Sequence, residues 1–226
     1  MFSGDFCRMK TKPPHPSTTS SSRIATHPPA SRPALRNEMR ARRQRLGIAE
    51  QREAAKRLAV ILAHSALFRR SRHIAFYLAN DGELDPAILL QKAWNMGKVC
   101  YLPVITPGQS LLFAPYAKGD PLALNRFGIP EPAHPDVKVF SARVLDLVLT
   151  PLVAFDDQGH RLGMGGGFYD RTLSFLRHRR AWRKPRLLGI AHDLQRTTAL
   201  PAEAWDVPLD GVATDRQLYL FYNTRP

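Results

Sequence analysis

The chain has 226 residues, 44% of them hydrophobic, which is enough for one globular domain with a sizeable core. Its apolar runs have the length of strands and fall short of the roughly 20 residues that a membrane span needs, so we expect no membrane partner. The formal net charge of +14 favours an anionic partner, and composition does not choose between a nucleic acid and a small polyphosphate.

The basic charge is concentrated at the amino terminus, where residues 1–45 carry ten Lys or Arg and two acidic residues. We predict that residues 1–31, rich in Ser, Thr and Pro, form a disordered extension, and that residues 32–226 form a single domain. The extension lacks the continuous apolar stretch of a secretory signal. Cys100 lies in an apolar run and no CxxC motif is present, as in a reducing compartment. We expect a cytoplasmic protein and leave organellar targeting open.

Helical and strand patterns alternate from residue 31 onward. A basic helix is predicted to begin after Ser31, because Ser caps a helix and Pro33 suits its first turn. The further predicted helices are 49–68, 85–97 and 168–177. The predicted strands are 73–79, 98–105, 110–117, 144–150, 186–192, 211–214 and 218–222, with a Pro-rich loop over 122–137. This alternation predicts an α/β domain whose largely parallel sheet is covered on both faces.

The most informative segment is RLGMGGGFYDR, residues 161–171, because five of the fourteen glycines fall between Gly159 and Gly167. An apolar run precedes it and a helical pattern follows, an order that lets backbone N–H groups surround a phosphate. It is neither a Walker A loop nor a clean GxGxxG. A tight strand-to-helix crossover would account for one or two of these glycines, so their density favours a bound phosphate.

Asp170 follows these glycines directly. A carboxylate beside phosphate-binding amides repels the ligand unless a cation lies between them, so Asp170 is a candidate Mg²⁺ ligand. The alternative is that Asp170 only stabilises the amino terminus of its helix.

Residues 151–173, PLVAFDDQGHRLGMGGGFYDRTL, resemble the signature of the 5-formyltetrahydrofolate cyclo-ligases, also called methenyltetrahydrofolate synthetases. Four further blocks are similar and lie in the same order: RPALRNEMRARR (32–43), GELD (82–85), FGIPEP (127–132) and WDVPLDG (205–211). The resemblance covers residues 32–214. The chain departs from the family at Arg32, where Lys is usual, and at Trp205, where many members have His.

The resemblance implies a three-layer α/β sandwich, Rossmann-like and similar to the folds of sugar-phosphate isomerases and CoA transferases. It implies the ATP-dependent conversion of 5-formyltetrahydrofolate to 5,10-methenyltetrahydrofolate, with release of ADP and phosphate and with Mg²⁺ as cofactor. Phosphoryl transfer needs positioning and charge neutralisation more than a protein nucleophile, which agrees with the lack of an obvious catalytic triad.

The resemblance also assigns residues to roles. The ATP-binding set is Arg32, Arg36, Gly163, Met164, Gly165, Gly166, Gly167, Phe168 and Tyr169. The substrate set is Glu83, Gly166, Phe168 and Tyr169, and the catalytic set is Arg161, Tyr169 and Arg171, one arginine neutralising the phosphate and the other anchoring the helix. The metal ligands are Asp170 and Asp206, with Asp210 as a rival for Asp206. Gln195 matches a recurrent family residue without a derived role.

Two of these assignments also have an ordinary structural explanation that involves no ligand. Arg32, Arg36, Arg40 and Arg43 share one helical face, and such a run is usually a solvated basic face. Glu83 lies in the sequence Asn-Asp-Gly-Glu, which is also ordinary turn chemistry.

Two other functions are compatible with this composition. Another enzyme of the same fold, an isomerase or a CoA transferase, would need neither the arginine helix nor the metal aspartates. A nucleic-acid-binding module would interleave aromatic residues with the basic ones, and residues 31–57 contain no aromatic residue. We therefore expect small-molecule partners, no nucleic acid and a monomer; loss or drift of the activity stays open.

Overall fold

The structure is a computed structural model that describes Met1 and residues 31–133, 138–177 and 184–221. A seven-stranded sheet lies at its centre in the order β11-β10-β9-β6-β1-β2-β3. These strands are β1 (His73–Ala75), β2 (Val99–Ile105), β3 (Leu111–Pro115), β6 (Leu147–Pro151), β9 (Arg186–Ile190), β10 (Gly211–Ala213) and β11 (Leu218–Leu220). The five inner strands are parallel, and β3 and β11 are antiparallel edges.

Apolar side chains project from both faces of the parallel strands. Along β6, Leu147 and Leu149 pack into one core cluster and Val148 into another on the opposite face, because successive side chains of a strand alternate in direction. The inner strands are therefore apolar in nearly continuous runs, as expected for a sheet covered on both sides.

Helices cover the two faces and complete three layers. One face carries α2 (Ile48–Ala63), α3 (Ala66–Arg70) and α4 (Ala87–Asn95). The other carries α5 (Phe168–Leu173) and two 3-10 turns, Ala142–Val144 and Ser174–Leu176. The predicted α/β sandwich with a largely parallel sheet is confirmed. No helix in the described residues is long and apolar enough to cross a membrane.

The basic helix α1 (Arg32–Gln44) packs apart from these layers. Ser31 caps it, its Oγ accepting from the Ala34 amide at 3.4 Å. Met39 joins a small third cluster with Leu162 and Leu200. Through this cluster α1 rests on a short hairpin, β7 (Ala154–Phe155) and β8 (Arg161–Leu162), which follows β6.

Several elements differ from their sequence-based predictions. The helix expected over 49–68 is two helices, because Ser65 caps α3 by accepting from the Phe68 amide at 3.1 Å. The predicted loop 122–137 contains a second hairpin, β4 (Leu122–Leu124) and β5 (Pro130–Pro132). The β7–β8 hairpin separates β6 from residues 163–167, called the glycine segment below. The helix expected over 168–177 is the short α5 and a 3-10 turn. Three parts of these predictions lie outside the described residues. They are residues 2–30 of the extension, residues 134–137 of the Pro-rich loop, and Tyr222 at the end of the last predicted strand.

The order of the strands creates a crevice. From β1 the chain runs outward to β2 and β3, and it then returns to the other side of β1 to form β6. Ligands of open α/β sheets bind outside the carboxyl ends of the strands at such a switch point, so the segments following β1 and β6 are the expected walls of a site.

Candidate active site

A pocket of about 380 Å³ lies at the carboxyl ends of β1 and β6, within the size range of small-molecule sites. Thirteen of the fourteen predicted site residues line it: Arg32, Arg36, Glu83, Arg161, Gly163, Met164, Gly165, Gly166, Gly167, Phe168, Tyr169, Asp170 and Asp206. Residues from α1, from both crossover segments and from the loop before β10 therefore meet in one cavity, although they are spread over 175 positions of sequence.

Most of the glycines in this segment have a local structural reason. Gly165 and Gly167 have φ of +104° and +65°, a region that side chains disfavour. A Cβ on Gly166 would lie 2.7 Å from Cε2 of Phe168. Among these four glycines, only at Gly163 would a Cβ meet no described atom within 4 Å beyond its chain neighbours. The crossover thus accounts for three glycines rather than the one or two expected, and Gly163 is the position left open to a ligand.

The two predicted nucleotide arginines contact different walls. Arg36 Nε donates to the carbonyl of Gly163 at 2.8 Å. Arg32 donates to Asp206 Oδ2 at 2.8 Å and to the carbonyl of Pro201 at 2.9 Å. This hydrogen bond to the Asp206 carboxylate raises the pKa of Arg32. Because Arg36 follows Arg32 by four residues, the two guanidinium groups lie on the same side of α1, which is the side of the pocket.

A second ion pair joins β8 to α5. Arg161 is buried and donates to Asp170 Oδ1 at 2.5 Å and to the carbonyl of Val207. Asp170 Oδ1 also accepts from the Val207 amide at 3.2 Å. Burial lowers the pKa of Arg161, and the charge of Asp170 opposes this shift. Asp170 therefore holds the loop before β10 against α5 and also faces the pocket.

The acidic residues of the pocket suit Mg²⁺ only together with another source of oxygen ligands. No group of three or more His, Cys, Asp or Glu able to hold a metal occurs in the part of the chain that the structure describes. Mg²⁺ is commonly held by one or two carboxylates with phosphates and water, so Asp170 and Asp206 fit a cation that arrives with a nucleotide. Asp210 accepts from Arg186 Nη1 and from the Leu187 amide, and it lies outside the pocket lining.

Glu83 lines the same pocket from the turn that follows β1. Its Oε2 accepts from the Asn80 amide at 3.2 Å, and burial raises its pKa to about 7. Burial also raises the pKa of Tyr77 and of Tyr169, and the charge of Glu83 adds to both shifts. Glu83 thus lies close to two phenol groups in a weakly solvated corner, where its protonation changes near neutral pH.

Arg171 is the predicted site residue that does not line the pocket. It is exposed and donates to the carbonyl of Gly166 at 2.5 Å and to the carbonyl of Gln109 at 2.9 Å. These bonds tie the glycine segment to the loop between β2 and β3. Gln195, for which the sequence offered no role, is buried and donates to the carbonyls of Leu152 and Val153.

Sequence reasoning missed a pocket wall formed by the β4–β5 hairpin. Phe127 at its tip packs edge-on against Phe168, with ring centroids 5.8 Å apart, and half of its surface is exposed. Glu131 fixes the hairpin by accepting from the Ile105 amide at 3.0 Å and from Asn125 Nδ2 at 2.7 Å. The FGIPEP block, residues 127–132, was the sequence feature that could have indicated this wall. A Pro-rich segment does not by itself show which cavity it lines.

Comparisons with known proteins identify the family of the chain. Residues 28–215 match the model of the 5-formyltetrahydrofolate cyclo-ligase family. The chain is 40% identical over 191 residues to 5-formyltetrahydrofolate cyclo-ligase of Escherichia coli K12, covering 80% of this chain and 98% of that protein. It is 39% identical over 182 residues to the enzyme of the same name from Haemophilus influenzae, covering 79% and 94%.

A solved structure shares the fold over nearly its whole length. The NMR structure of 5,10-methenyltetrahydrofolate synthetase from Aquifex aeolicus superposes with a TM-score of 0.73 at 28% identity, covering 86% of this chain and 95% of that one. Family match, sequence identity and fold converge on one conclusion: the chain belongs to the 5-formyltetrahydrofolate cyclo-ligase family and is a ligase.

Proposed function

We propose that this protein converts 5-formyltetrahydrofolate to 5,10-methenyltetrahydrofolate with Mg²⁺ and ATP, releasing ADP and phosphate. The observation that carries the proposal is the shared pocket, which the arginines of α1, the glycine segment and Glu83 all line. Phosphate-binding groups and an acceptor for a pterin ring thus meet where a phosphoryl group and a formyl oxygen must meet.

The chemistry explains why both ligands must lie in one cavity. A formamide oxygen is a poor leaving group, and transfer of the γ-phosphoryl group of ATP to it creates a good one. Nitrogen-10 of the folate then attacks the activated carbon, the ring closes and phosphate leaves. Such a transfer depends on orientation and on stabilisation of charge, which a pocket lined by arginines and backbone amides supplies.

On the nucleotide side, Arg32, Arg36 and the glycine segment bind the phosphates. The open Cβ direction of Gly163 lets a phosphate approach the backbone. Arg161 supplies a positive charge at the pocket wall, and Arg171 holds the segment from outside. Arg32 serves two groups, because it also neutralises Asp206.

Asp170 and Asp206 are the residues that would hold Mg²⁺. The ion, when bound, neutralises charge on the phosphates of ATP. In the structure each carboxylate is paired with an arginine of the pocket, Asp170 with Arg161 and Asp206 with Arg32. These pairs orient the two carboxylates at the pocket wall.

On the folate side, Glu83 accepts hydrogen bonds from pterin N–H groups, since an ionised carboxylate is only an acceptor. Phe168 and Phe127 form an apolar wall for a flat ring, and Tyr169, which follows Phe168 in the chain, interacts electrostatically with Glu83.

We further propose that the protein acts as a cytoplasmic monomer on small molecules, without a nucleic acid. The domain formed by residues 32–226 contains every group that the proposed reaction uses.

The test is a direct assay. The purified full-length protein is incubated with 5-formyltetrahydrofolate, ATP and Mg²⁺, and the absorbance of methenyltetrahydrofolate and the release of phosphate are followed together. We expect one phosphate for each methenyl product, and no product when ATP is omitted. Product without ATP, or no product under any condition, would overturn the proposal and favour another reaction of the same fold.

A further inference from the structure

Arg43 is buried, although the basic residues of a solvated helical face are exposed to water. It lies in the last turn of α1, and none of its side chain is exposed. A buried guanidinium is costly unless its donors are satisfied. The hydrogen bonds of the Arg43 side chain therefore show which segments the end of α1 holds in place.

The donors of Arg43 reach three segments of the pocket. Nε donates to the carbonyl of Asp81 and Nη2 to Asp81 Oδ2, both at 2.8 Å. Nη1 points to the carbonyl of Leu152 at 3.4 Å, and Nη2 also meets Met164 Sδ at 3.7 Å. One side chain thus touches the turn after β1, the segment after β6 and the glycine segment.

The turn held by Asp81 is the one that carries Glu83. Asp81 and Gly82 have φ of +52° and +74°, and a Cβ on Gly82 would lie 3.5 Å from the backbone oxygen of Arg43. Hydrogen bonds from Arg40 and Arg43 hold the pKa of Asp81 down at about 2. The carboxylate is therefore charged at every working pH, and the turn is pressed against α1.

We propose that Arg43 is a positioning residue that couples the nucleotide side of the pocket to the folate side, by fixing α1 and its Arg32 and Arg36 against the turn that carries Glu83. The inference rests on the proposed function for the identity of the two ligands. The coupling itself is a property of the bonds between Arg43 and the three segments.

Electrostatics gives the coupling a second consequence. The charged groups that act on Glu83 are Asp81, which favours its protonated form, and Arg43, which favours its ionised form. The phenol groups of Tyr77 and Tyr169 also interact with Glu83, and the Asn80 amide donates to it. Loss of the Arg43 charge thus raises the pH at which Glu83 becomes an acceptor, whereas a turn that only loosened would expose Glu83 to water and lower that pH.

The variants separate charge, hydrogen bonding and size. Arg43→Met keeps an unbranched side chain and removes the charge. Arg43→Lys keeps the charge but lacks the planar fork that reaches several acceptors at once. Asp81→Asn removes the partner's charge while tolerating the positive φ. Arg42→Met is the matched control, because Arg42 is on the same turn, half exposed, and paired only with Glu38 among its described salt bridges.

Calorimetry measures binding of a non-hydrolysable ATP analogue with Mg²⁺, and separately of 5-formyltetrahydrofolate, to each full-length variant. We expect Arg43→Met and Asp81→Asn to weaken both ligands by about tenfold or more, and their effects to be non-additive in the double variant. We expect Arg43→Met to move the midpoint of pH-dependent folate binding upward and Arg43→Lys to leave it in place. Arg42→Met should match the wild type.

Several outcomes would overturn the coupling. Wild-type affinities in folded Arg43→Met, or a loss confined to one ligand, contradict it. If Arg43→Met does not fold, Arg43→Lys and Asp81→Asn decide in the same way, since wild-type affinities for both ligands in either variant contradict it. If the wild type binds the ATP analogue but not the folate, the proposed function fails instead, and faster amide exchange over residues 80–84 in Asp81→Asn still tests the contact.

Discussion

At the scale of single residues, alanine variants of Gly163 and Gly166 distinguish a role in ligand binding from a role in side-chain packing. Alanine at Gly163 meets no described atom within 4 Å, whereas alanine at Gly166 collides with the Phe168 ring at 2.7 Å. We expect Gly163→Ala to keep the wild-type melting temperature and to raise the KM for ATP, because the methyl group occupies the space of a phosphate. Gly166→Ala should lower the melting temperature as well. A wild-type KM in Gly163→Ala would contradict a phosphate at this position.

Asp170 combines a predicted metal role with a structural one. Asn at this position still accepts from the Val207 amide but leaves the buried Arg161 without a counter-charge. We expect Asp170→Asn to lose activity, to need more Mg²⁺, and to lose about 1–3 kcal/mol of stability. Asp206→Asn, whose arginine partner is more exposed, should share the Mg²⁺ effect with less loss of stability. Wild-type Mg²⁺ dependence in both variants would rule out the metal role.

The pKa of Glu83 near 7 predicts a pH dependence of folate binding. Burial raises this pKa from an ordinary 4.5, so the acceptor form is scarce below pH 6 and dominant above pH 8. We expect the KM for 5-formyltetrahydrofolate to fall as the pH rises through 7. Glu83→Gln, which does not titrate, should bind weakly with a flat profile over this range. The same slope in the Gln variant would assign the titration to another group.

At the scale of elements, the β4–β5 hairpin provides a matched pair of variants. Phe127 and Leu124 are both exposed, by 50% and 72%, but only Phe127 lines the pocket. We expect Phe127→Ala to raise the KM for the folate severalfold with little change in stability, because half of the ring is already in water. Leu124→Ala should change neither quantity. Equal kinetics for the two variants would show that the hairpin is not a wall of the substrate site.

Helices and strands could largely be predicted from local patterns, and the differences have local causes. The cap at Ser65 that divides the second helix is a side-chain hydrogen bond, which a hydrophobic period does not show. The hairpin between β6 and the glycine segment was missed because β7 and β8 have two residues each. Such short strands carry too few alternations to be recognised.

At the scale of the whole molecule, the position of α1 predicts where the functional domain begins. Removing residues 1–30 keeps the Ser31 cap, Arg32 and Arg36, so turnover should stay at the wild-type level. Removing residues 1–36 deletes the contacts to Asp206 and Gly163, and we expect the KM for ATP to rise about tenfold or more, as for the loss of a charge-assisted hydrogen bond. The two truncations are compared by steady-state kinetics at saturating folate. A large loss in the shorter truncation would assign a role to residues 1–30.

The sequence by itself determined the fold class, the glycine segment and the family, because strand and helix periods, dense glycines and an ordered set of blocks are all local patterns. Tertiary structure alone decided that Asp206 rather than Asp210 faces the pocket, that Arg171 lies outside it, and that Arg43 is buried. These outcomes depend on which residues meet at the switch point between β1 and β6. Contacts between segments far apart in the chain arise only when the sheet orders its strands, so no local pattern records them.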